Sequence, residues 1–327
     1  MDPLKEMFNT SYYRKLGGAI KKVYPEFNQD GFVAACVKNI ETRSLNERMR
    51  HTSRMLKDYL PDSYTQSLSI LKKVIPGFPP SYTNLVFPDF VSQFGLDHFK
   101  ESMQALEYFT AFGSSEFAIR VFLKHRFEDT LHIMKTWATH PNHHVRRLAS
   151  EGSRPRLPWS FKLEEVIHNP SLTEPILSAL KEDPELYVRK SVANHLNDIT
   201  KEHPEFMLSL VKKWNRDHPH TKWIIKHASR TLIKKGHPGS LAVFEFEKDP
   251  KVELRNFSLS PVNLTLGQNL CMDLELISKK KKTQKLVVDY LIHYRKKSGE
   301  LSPKVFKWKE LSLAGGESIR LTKKQLI

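Results

Sequence analysis

Residues 145–159 read VRRLASEGSRPRLPW, the stretch richest in groups that can do chemistry. On a helix, Val145, Leu148, Ala149 and Gly152 share one face and pack. Arg147, Glu151 and Arg154 stand at i, i+4 and i+7 on another face. Pro155 ends the helix, Arg156 follows, and Pro158 fixes the chain ahead of Trp159. A carboxylate flanked by three arginines and a tryptophan suits a site for a phosphate and a base. Guanidiniums fork onto phosphate oxygens, and an indole stacks on a sugar or base. The same spacing suits a surface salt bridge beside a buried tryptophan, slightly better on spacing alone.

A second copy of the pattern follows. HPNHHVRR at 140–147 matches DPELYVRK at 183–190, and HPHTKWII at 218–225 matches more loosely, at offsets of 43 and then 35 residues. At the first offset Lys190 falls on Arg147 and Asn194 on Glu151, with Asp198 one turn further along the same face. Stacked repeats would then present Lys190, Asn194 and Asp198 beside Arg147 and Glu151. Ion pairing on helix surfaces explains these acids equally well. A third acid, Glu116, lies in FGSSEFAIR. Ser114 or Ser115 is a good N-cap and puts Glu116 in a first turn, where complementing the helix dipole is the simpler explanation.

The elements that must carry these residues are mostly helices. From residue 1 to about 246, apolar residues recur at spacings of three and four, as in Phe32, Val33, Cys36, Val37 and Ile40. Prolines such as Pro61, Pro141, Pro184, Pro204 and Pro219 fall between the helical stretches. Asp-Pro followed by Val-Arg and an apolar helix face is how HEAT-like repeats read. Such units bury their apolar faces by stacking and create a curved, concave surface. Trp137, Trp214 and Trp223 lie in apolar helical stretches and are expected in the core.

After Pro250 the period changes to two. Leu270, Met272, Leu274 and Leu276 alternate, as do Leu286, Val288, Tyr290, Ile292 and Tyr294. Four or five short strands suggest a small β-sandwich over residues 251–327, following a helical domain over 1–246. A seven-stranded sandwich needs roughly 100 residues, so the chain is expected to stop within it. The run Lys279, Lys280, Lys281 and Lys282 reads as a solvated hairpin tip. The fold class is therefore mainly α: a HEAT-like helical-repeat solenoid, then an all-β immunoglobulin-like sandwich.

Charge narrows the partner. The 327 residues carry 52 Lys+Arg against 36 Asp+Glu, a net charge of +16. That favours a polyanion, nucleic acid first and an anionic membrane surface second. No run of 18 apolar residues exists to span a membrane, and the start has no secretory signal. Cys36 and Cys271 are far apart and read as free thiols of a cytosolic protein, so zinc by cysteine ligation is excluded. His143 and His144 are adjacent and suit a shared metal poorly. No P-loop, HExxH or Ser-His-Asp order is present, and Gly17-Gly18 is too short for a phosphate loop.

FGSSEFAIR, HPNHHVRRLASEGSRPRLPW and DPELYVRKSVANHLNDI closely resemble the signature segments of AlkC-type DNA glycosylases, relatives of the AlkD alkylpurine glycosylases with the same HEAT-like fold. The resemblance covers most of residues 1–245, and the strands after Pro250 resemble the immunoglobulin-like domain of one branch. It implies hydrolysis of the N-glycosidic bond of cationic bases, 3-methyladenine and 3-methylcytosine, during base excision repair. It also implies that the lesion is not swung fully into a deep pocket, unlike in the common extrusion strategy.

Carried over, Glu116, Glu151 and Asp198 match the family's active-site acids, and Arg147 and Trp159 its DNA-contacting residues. Arg154, Arg156, Lys190 and Asn194 are expected to touch the DNA beside them. The expected protein is a monofunctional, monomeric, cytoplasmic bacterial enzyme. It acts on double-stranded DNA containing alkylated bases and needs neither cofactor nor metal. The competing reading is a non-enzymatic HEAT-repeat scaffold that binds nucleic acid.

Overall fold

Side-chain caps and prolines cut the first three quarters of the chain into helices. Asn9 accepts from Tyr12 N at 2.9 Å, Asn28 from Gly31 N at 3.0 Å and Asn142 from His144 N at 2.8 Å. Ser44 and Glu47 form a reciprocal capping box. Proline occupies the first turn of the helices beginning at Pro204 and Pro238, where its missing N–H leaves no hydrogen bond unmade.

The computed structural model describes residues 3–327. Its helices are α1 (Thr10–Val23), α2 (Gln29–Val37), α3 (Leu45–Tyr59), α4 (Tyr64–Val74), α5 (Val86–Phe94), α6 (Phe99–Phe109), α7 (Glu116–His125) and α8 (Phe127–Trp137). They continue with α9 (His143–Gly152), α10 (Glu164–His168), α11 (Glu174–Ala179), α12 (Leu186–Ile199), α13 (Pro204–Lys212), α14 (Pro219–Ala228), α15 (Arg230–Lys234) and α16 (Pro238–Val243). Five strands follow: β1 (Val252–Ser260), β2 (Asn269–Ser278), β3 (Gln284–Arg295), β4 (Leu301–Leu313) and β5 (Ser318–Leu326).

The chain divides into two compact units. One runs up to Glu202 and takes in Trp214–Ala228; the other joins His203–Lys213 to Ser229–Ile327. Backbone type changes from helix to strand between Val243 and Val252, whereas the compact division places α13, α15 and α16 with the strands.

The helical unit is a repeat. Helices α3, α5, α7, α9, α12 and α14 pack each against the next, forming one row, with α4, α6, α8 and α11 behind. Val145, Leu148 and Ala149 of α9 are buried, as are Val188, Val192, Ala193 and Leu196 of α12. The 43-residue offset is also an offset in hydrogen bonding. Arg146 donates to the carbonyls of His140 and Pro141, both at 2.9 Å; Arg189 donates to those of Asp183 at 2.9 Å and Pro184 at 2.6 Å. Each arginine folds back and satisfies the carbonyls of the turn that begins its own repeat.

Each arginine also touches the next repeat. Arg146 forks onto Asp183 at 2.6 and 3.2 Å, and Arg189 lies 5.9 Å from the centre of the Trp223 ring. The third, looser copy has Ile224 at this position and ends the series. Trp137 and Trp214 are buried as expected. Trp223 is only half-buried, stacked on His227 at 4.9 Å, so that expectation is corrected.

In the other unit the strands form a small antiparallel sandwich. One sheet has the order β1-β2-β5 and the other pairs β3 with β4. Met272, Leu274 and Leu276 point inward in strict alternation, with Leu274 opposite Leu321 and Leu276 opposite Ile319. Leu276, Leu286 and Leu313 form the core, lined by Val252, Val288, Leu311 and Ile319. The β3–β4 hairpin turns at Gly299, whose φ of +86° suits glycine.

The lysine run is not a hairpin tip. Strands β2 and β3 belong to different sheets, so these lysines form a crossover between sheets. Lys279 pairs with Glu253, and Lys280 pairs with Glu247 at 2.8 Å. Strand partners are set by distant contacts, which local turn signals do not reveal. Among the described residues no helix is long and apolar enough to cross a membrane.

Candidate active site

Three consecutive members of the helical row carry the expected acids. Glu116 opens α7, Glu151 lies in the last turn of α9, and Asp198 lies in the last turn of α12. Neither serine before α7 caps it in the expected way. Ser115 occupies the N-cap position, but its hydroxyl donates to the Leu106 carbonyl at 2.8 Å. Ser114 donates to the Glu116 carboxylate and accepts the Glu116 N–H at 3.4 Å. Glu116 is thus held against its own turn and aimed at α9.

Across the three helices acids and guanidiniums alternate. Arg147 donates to Glu116 and to Ser114 Oγ (2.9 Å), and its second nitrogen lies 3.5 Å from Glu151 Oε1. Arg154 bridges the other two acids, reaching Glu151 Oε1 at 2.7 Å and Asp198 Oδ2 at 2.8–2.9 Å. Lys201 stands 3.7 Å from Asp198 Oδ1. Glu151 is 6% exposed and Asp198 4%, so this is a nearly buried network, where charges hold only when paired and hydrogen-bonded.

Proton affinities diverge within it. Burial raises the Glu151 pKa, but Arg147 and Arg154 together outweigh burial and hold it below the ordinary glutamate value. At Asp198 burial wins over Arg154, and the pKa lies above the ordinary aspartate value. Two carboxylates sharing Arg154 are thus pushed in opposite directions, the condition under which neighbouring acids take different chemical roles. Burial also works against the Arg147 and Arg154 charges, and the acids offset it, so both guanidiniums stay charged.

The turn after α9 is tied from below. Arg120, fully buried on α7, donates to the carbonyls of Gly152 (3.0 Å), Arg154 (2.6 Å) and Phe161. Burial lowers its pKa to about 10, still charged at neutral pH. Beneath the acids His195 is buried, contacting the Ser150 carbonyl at 3.0 Å and Thr173 Oγ1 at 3.2 Å. Burial brings its pKa down to about 3, so it is neutral and structural.

Held in this way, the turn presents Trp159 in the left-handed region at φ +63° and 74% exposed. A bulky residue there is a backbone outlier, of the kind that clusters at binding sites. The alternative of a buried tryptophan is therefore overturned.

The remaining expected residues fall into three positions. Arg147 and Arg154 join the acids, with side chains only 11% and 8% exposed. Arg156 reaches outward and pairs with Glu202. Lys190 is exposed, and Asn194 is half-buried one turn before Asp198. It is Tyr187 that faces α9, with the Arg147 guanidinium 4.9 Å from its ring centre and His144 at 5.9 Å. Tyr187 lies one turn before Ser191, on the α12 face towards α9, a signal the helical period carried. Nothing local marked Arg120 or the contact of Ser114 with Arg147, because these partners lie more than thirty residues away.

Comparison with known proteins finds two families along the chain. Residues 97–232 match the family described as DNA alkylation repair enzyme, a span holding all three acids and Trp159. Residues 253–327 match the C-terminal Ig-like domain family of YhaZ. The chain is 40% identical over 326 residues to the uncharacterized protein YhaZ of Bacillus subtilis (strain 168), covering 99% of this chain and 90% of that one. Among solved structures it is similar to the Pseudomonas fluorescens alkylpurine DNA glycosylase AlkC bound to DNA containing an abasic site analog. The TM-score is 0.95 at 44% identity, over 100% of this chain and 91% of that one.

Proposed function

Because the chain belongs to the AlkC-type family of DNA alkylation repair proteins, with its helical-repeat fold and C-terminal Ig-like domain, we propose that it is a DNA glycosylase acting on cationic N-alkylated bases. Its substrates are 3-methyladenine and 3-methylcytosine in double-stranded DNA. It works as a monofunctional hydrolase, as a monomer in the cytoplasm, without swinging the lesion fully into a pocket. The observation that carries this reading is the row of Glu116, Glu151 and Asp198 on adjacent helices, cross-braced by Arg147 and Arg154.

The chemistry follows from charge. A base alkylated at N3 already bears positive charge, so it leaves with the bonding electron pair and needs no protein acid. The bond from C1′ to the base nitrogen breaks, and positive charge passes to the sugar. Glu151, held anionic by two arginines, stabilises that developing oxocarbenium ion electrostatically. Water adds at C1′ and gives a proton to Asp198, whose raised proton affinity suits it as the acceptor. Arg147 and Arg154 keep the carboxylates in place rather than binding phosphate, since both guanidiniums are buried against acids. Exposed Trp159 stacks on the DNA and adds cation–π attraction.

The test is release of free 3-methyladenine from methylated duplex DNA, followed by chromatography. We expect one free base per lesion and an abasic strand. No free base at enzyme in excess over lesions overturns the enzymatic reading and leaves a DNA-binding scaffold.

A further inference from the structure

Arg147 and Arg154 are buried against carboxylates and Arg156 is paired with Glu202, so these three guanidiniums are engaged within the protein. The same helical row carries further guanidiniums beside Trp159. A cleft of about 430 Å³ opens between α3, α5 and α7 and the turn at Trp159, Ser160 and Phe161. Arg50 and Arg54 of α3 stand at its edge, one turn apart and both exposed. Among the described residues neither makes an ion pair within 4 Å. Phe117, Val121, Trp159 and Phe161 form the apolar wall.

Between the arginines and that wall stands a polar floor. Gln93 Nε2 donates to Asp89 at 2.6 Å and to the Arg50 carbonyl at 3.3 Å, and Gln93 Oε1 accepts from Arg54 Nε at 3.4 Å. Asp89 is half-buried, and burial raises its pKa above the ordinary value, with Arg50 and Arg54 acting against that rise. Two guanidiniums therefore face one partly screened carboxylate, and the mouth of the cleft keeps net positive charge. None of the acids Glu116, Glu151 and Asp198 lines this cleft, although Phe117 follows Glu116 directly. A lesion placed inside it would be drawn away from the acids, whereas the adjoining nucleotide would not.

We infer that this cleft is a nucleotide subsite for the DNA strand beside the lesion: Arg50 and Arg54 hold its phosphodiester, and Trp159 and Phe161 flank its sugar and base. The i, i+4 spacing sets two forked donors about one turn apart, matching successive phosphate oxygens or adjacent phosphates. The inference rests on the DNA-repair reading above. Its test uses binding alone, so the two stand or fall separately.

The experiment titrates a fluorescent duplex containing an abasic-site analogue with the full-length protein at several salt concentrations. Arg50→Gln and Arg54→Gln are each expected to weaken binding about tenfold, the loss of a hydrogen bond from a charged donor. The double variant should flatten the log–log salt slope by about 1.8, from roughly 0.9 per phosphate. Arg50→Lys with Arg54→Lys keeps the charge and should keep the slope while losing affinity. Trp159→Ala should weaken binding with the slope unchanged, because stacking releases no counterions.

Equal melting temperatures check that the glutamine variants remain folded. Unchanged affinity and slope in the double glutamine variant overturn the subsite. A fall in affinity with no change in slope overturns the phosphate contact. A protein that binds with these slopes yet releases no base keeps the subsite and overturns the glycosylase reading.

Discussion

Helices α9 and α12 are two copies of one pattern, and their shared and differing positions do different work. Shared positions build the repeat: Pro141 and Pro184 open the turns, Val145 and Val188 are buried, and Arg146 and Arg189 close the turns onto their own carbonyls. Differing positions build the site. Glu151 in the first copy corresponds to Asn194 in the second, and the second acid appears a turn later as Asp198. Only the first copy continues into the turn that exposes Trp159. Repetition carries the packing, and departures from it place the acids of the proposed site.

The largest effect that would sharpen this comparison is on folding. Arg146→Ala removes a fork from Asp183, whose side chain is 3% exposed, and leaves that buried carboxylate without a counter-charge, holding only the Glu185 N–H. The expected loss is about 3–5 kcal/mol in denaturant unfolding. Arg189→Ala loses two carbonyl contacts and a weak ring contact, and is expected to cost about 1.5–3 kcal/mol. Equal losses in the two variants would show that the copies do not bear stability unequally.

A smaller effect separates the two acids by pH. Glu151 has a lowered pKa, so its ionisation stabilises the fold above the ordinary glutamate value of 4.5, and that contribution is lost as pH falls through its folded value. Asp198 has a raised pKa, so its ionisation weakens the fold as pH rises from the ordinary aspartate value of 3.8 towards its folded value. Near neutral pH, Glu151→Gln should therefore lower the Tm more than Asp198→Asn. The gap should close as pH falls below 4.5. A Tm order reversed near neutral pH would contradict the assignment of charge between them.

Much of this was legible because helical periodicity is local. Spacing of four and three residues placed Arg147, Glu151 and Arg154 on one face, and the 43-residue repeat put Asp198 beside Arg147 and Glu151, where the structure pairs it with Arg154 instead. Spacing alone left the arginines' partners open between phosphates and a salt bridge, because burial, which decides it, is not written in the spacing. At 11% and 8% side-chain exposure, Arg147 and Arg154 must be neutralised within the protein.

The exposure of Trp159 depends on a left-handed backbone that no preference for tryptophan foretells, and on Arg120 anchoring the turn from a distant helix. The repeat pattern marked Arg146 and Arg189 but not their role, because backbone carbonyls, which every residue has, are among their acceptors. In the sandwich, alternation marked the strands, but the crossing from β2 to β3 depends on pairing with β5, more than forty residues on.

The most direct measurement is single-turnover excision of 3-methyladenine by Glu151→Gln and Asp198→Asn, run beside DNA affinity. Both changes remove charge and keep a hydrogen-bonding group. The expected result is excision slowed by roughly 10²–10³-fold, the scale for losing one group that acts in the transition state. Affinity should be unchanged or tighter, because a negative charge has left a DNA-binding face. Native excision rates in both variants would show that these acids only brace the helices, and would contradict the account.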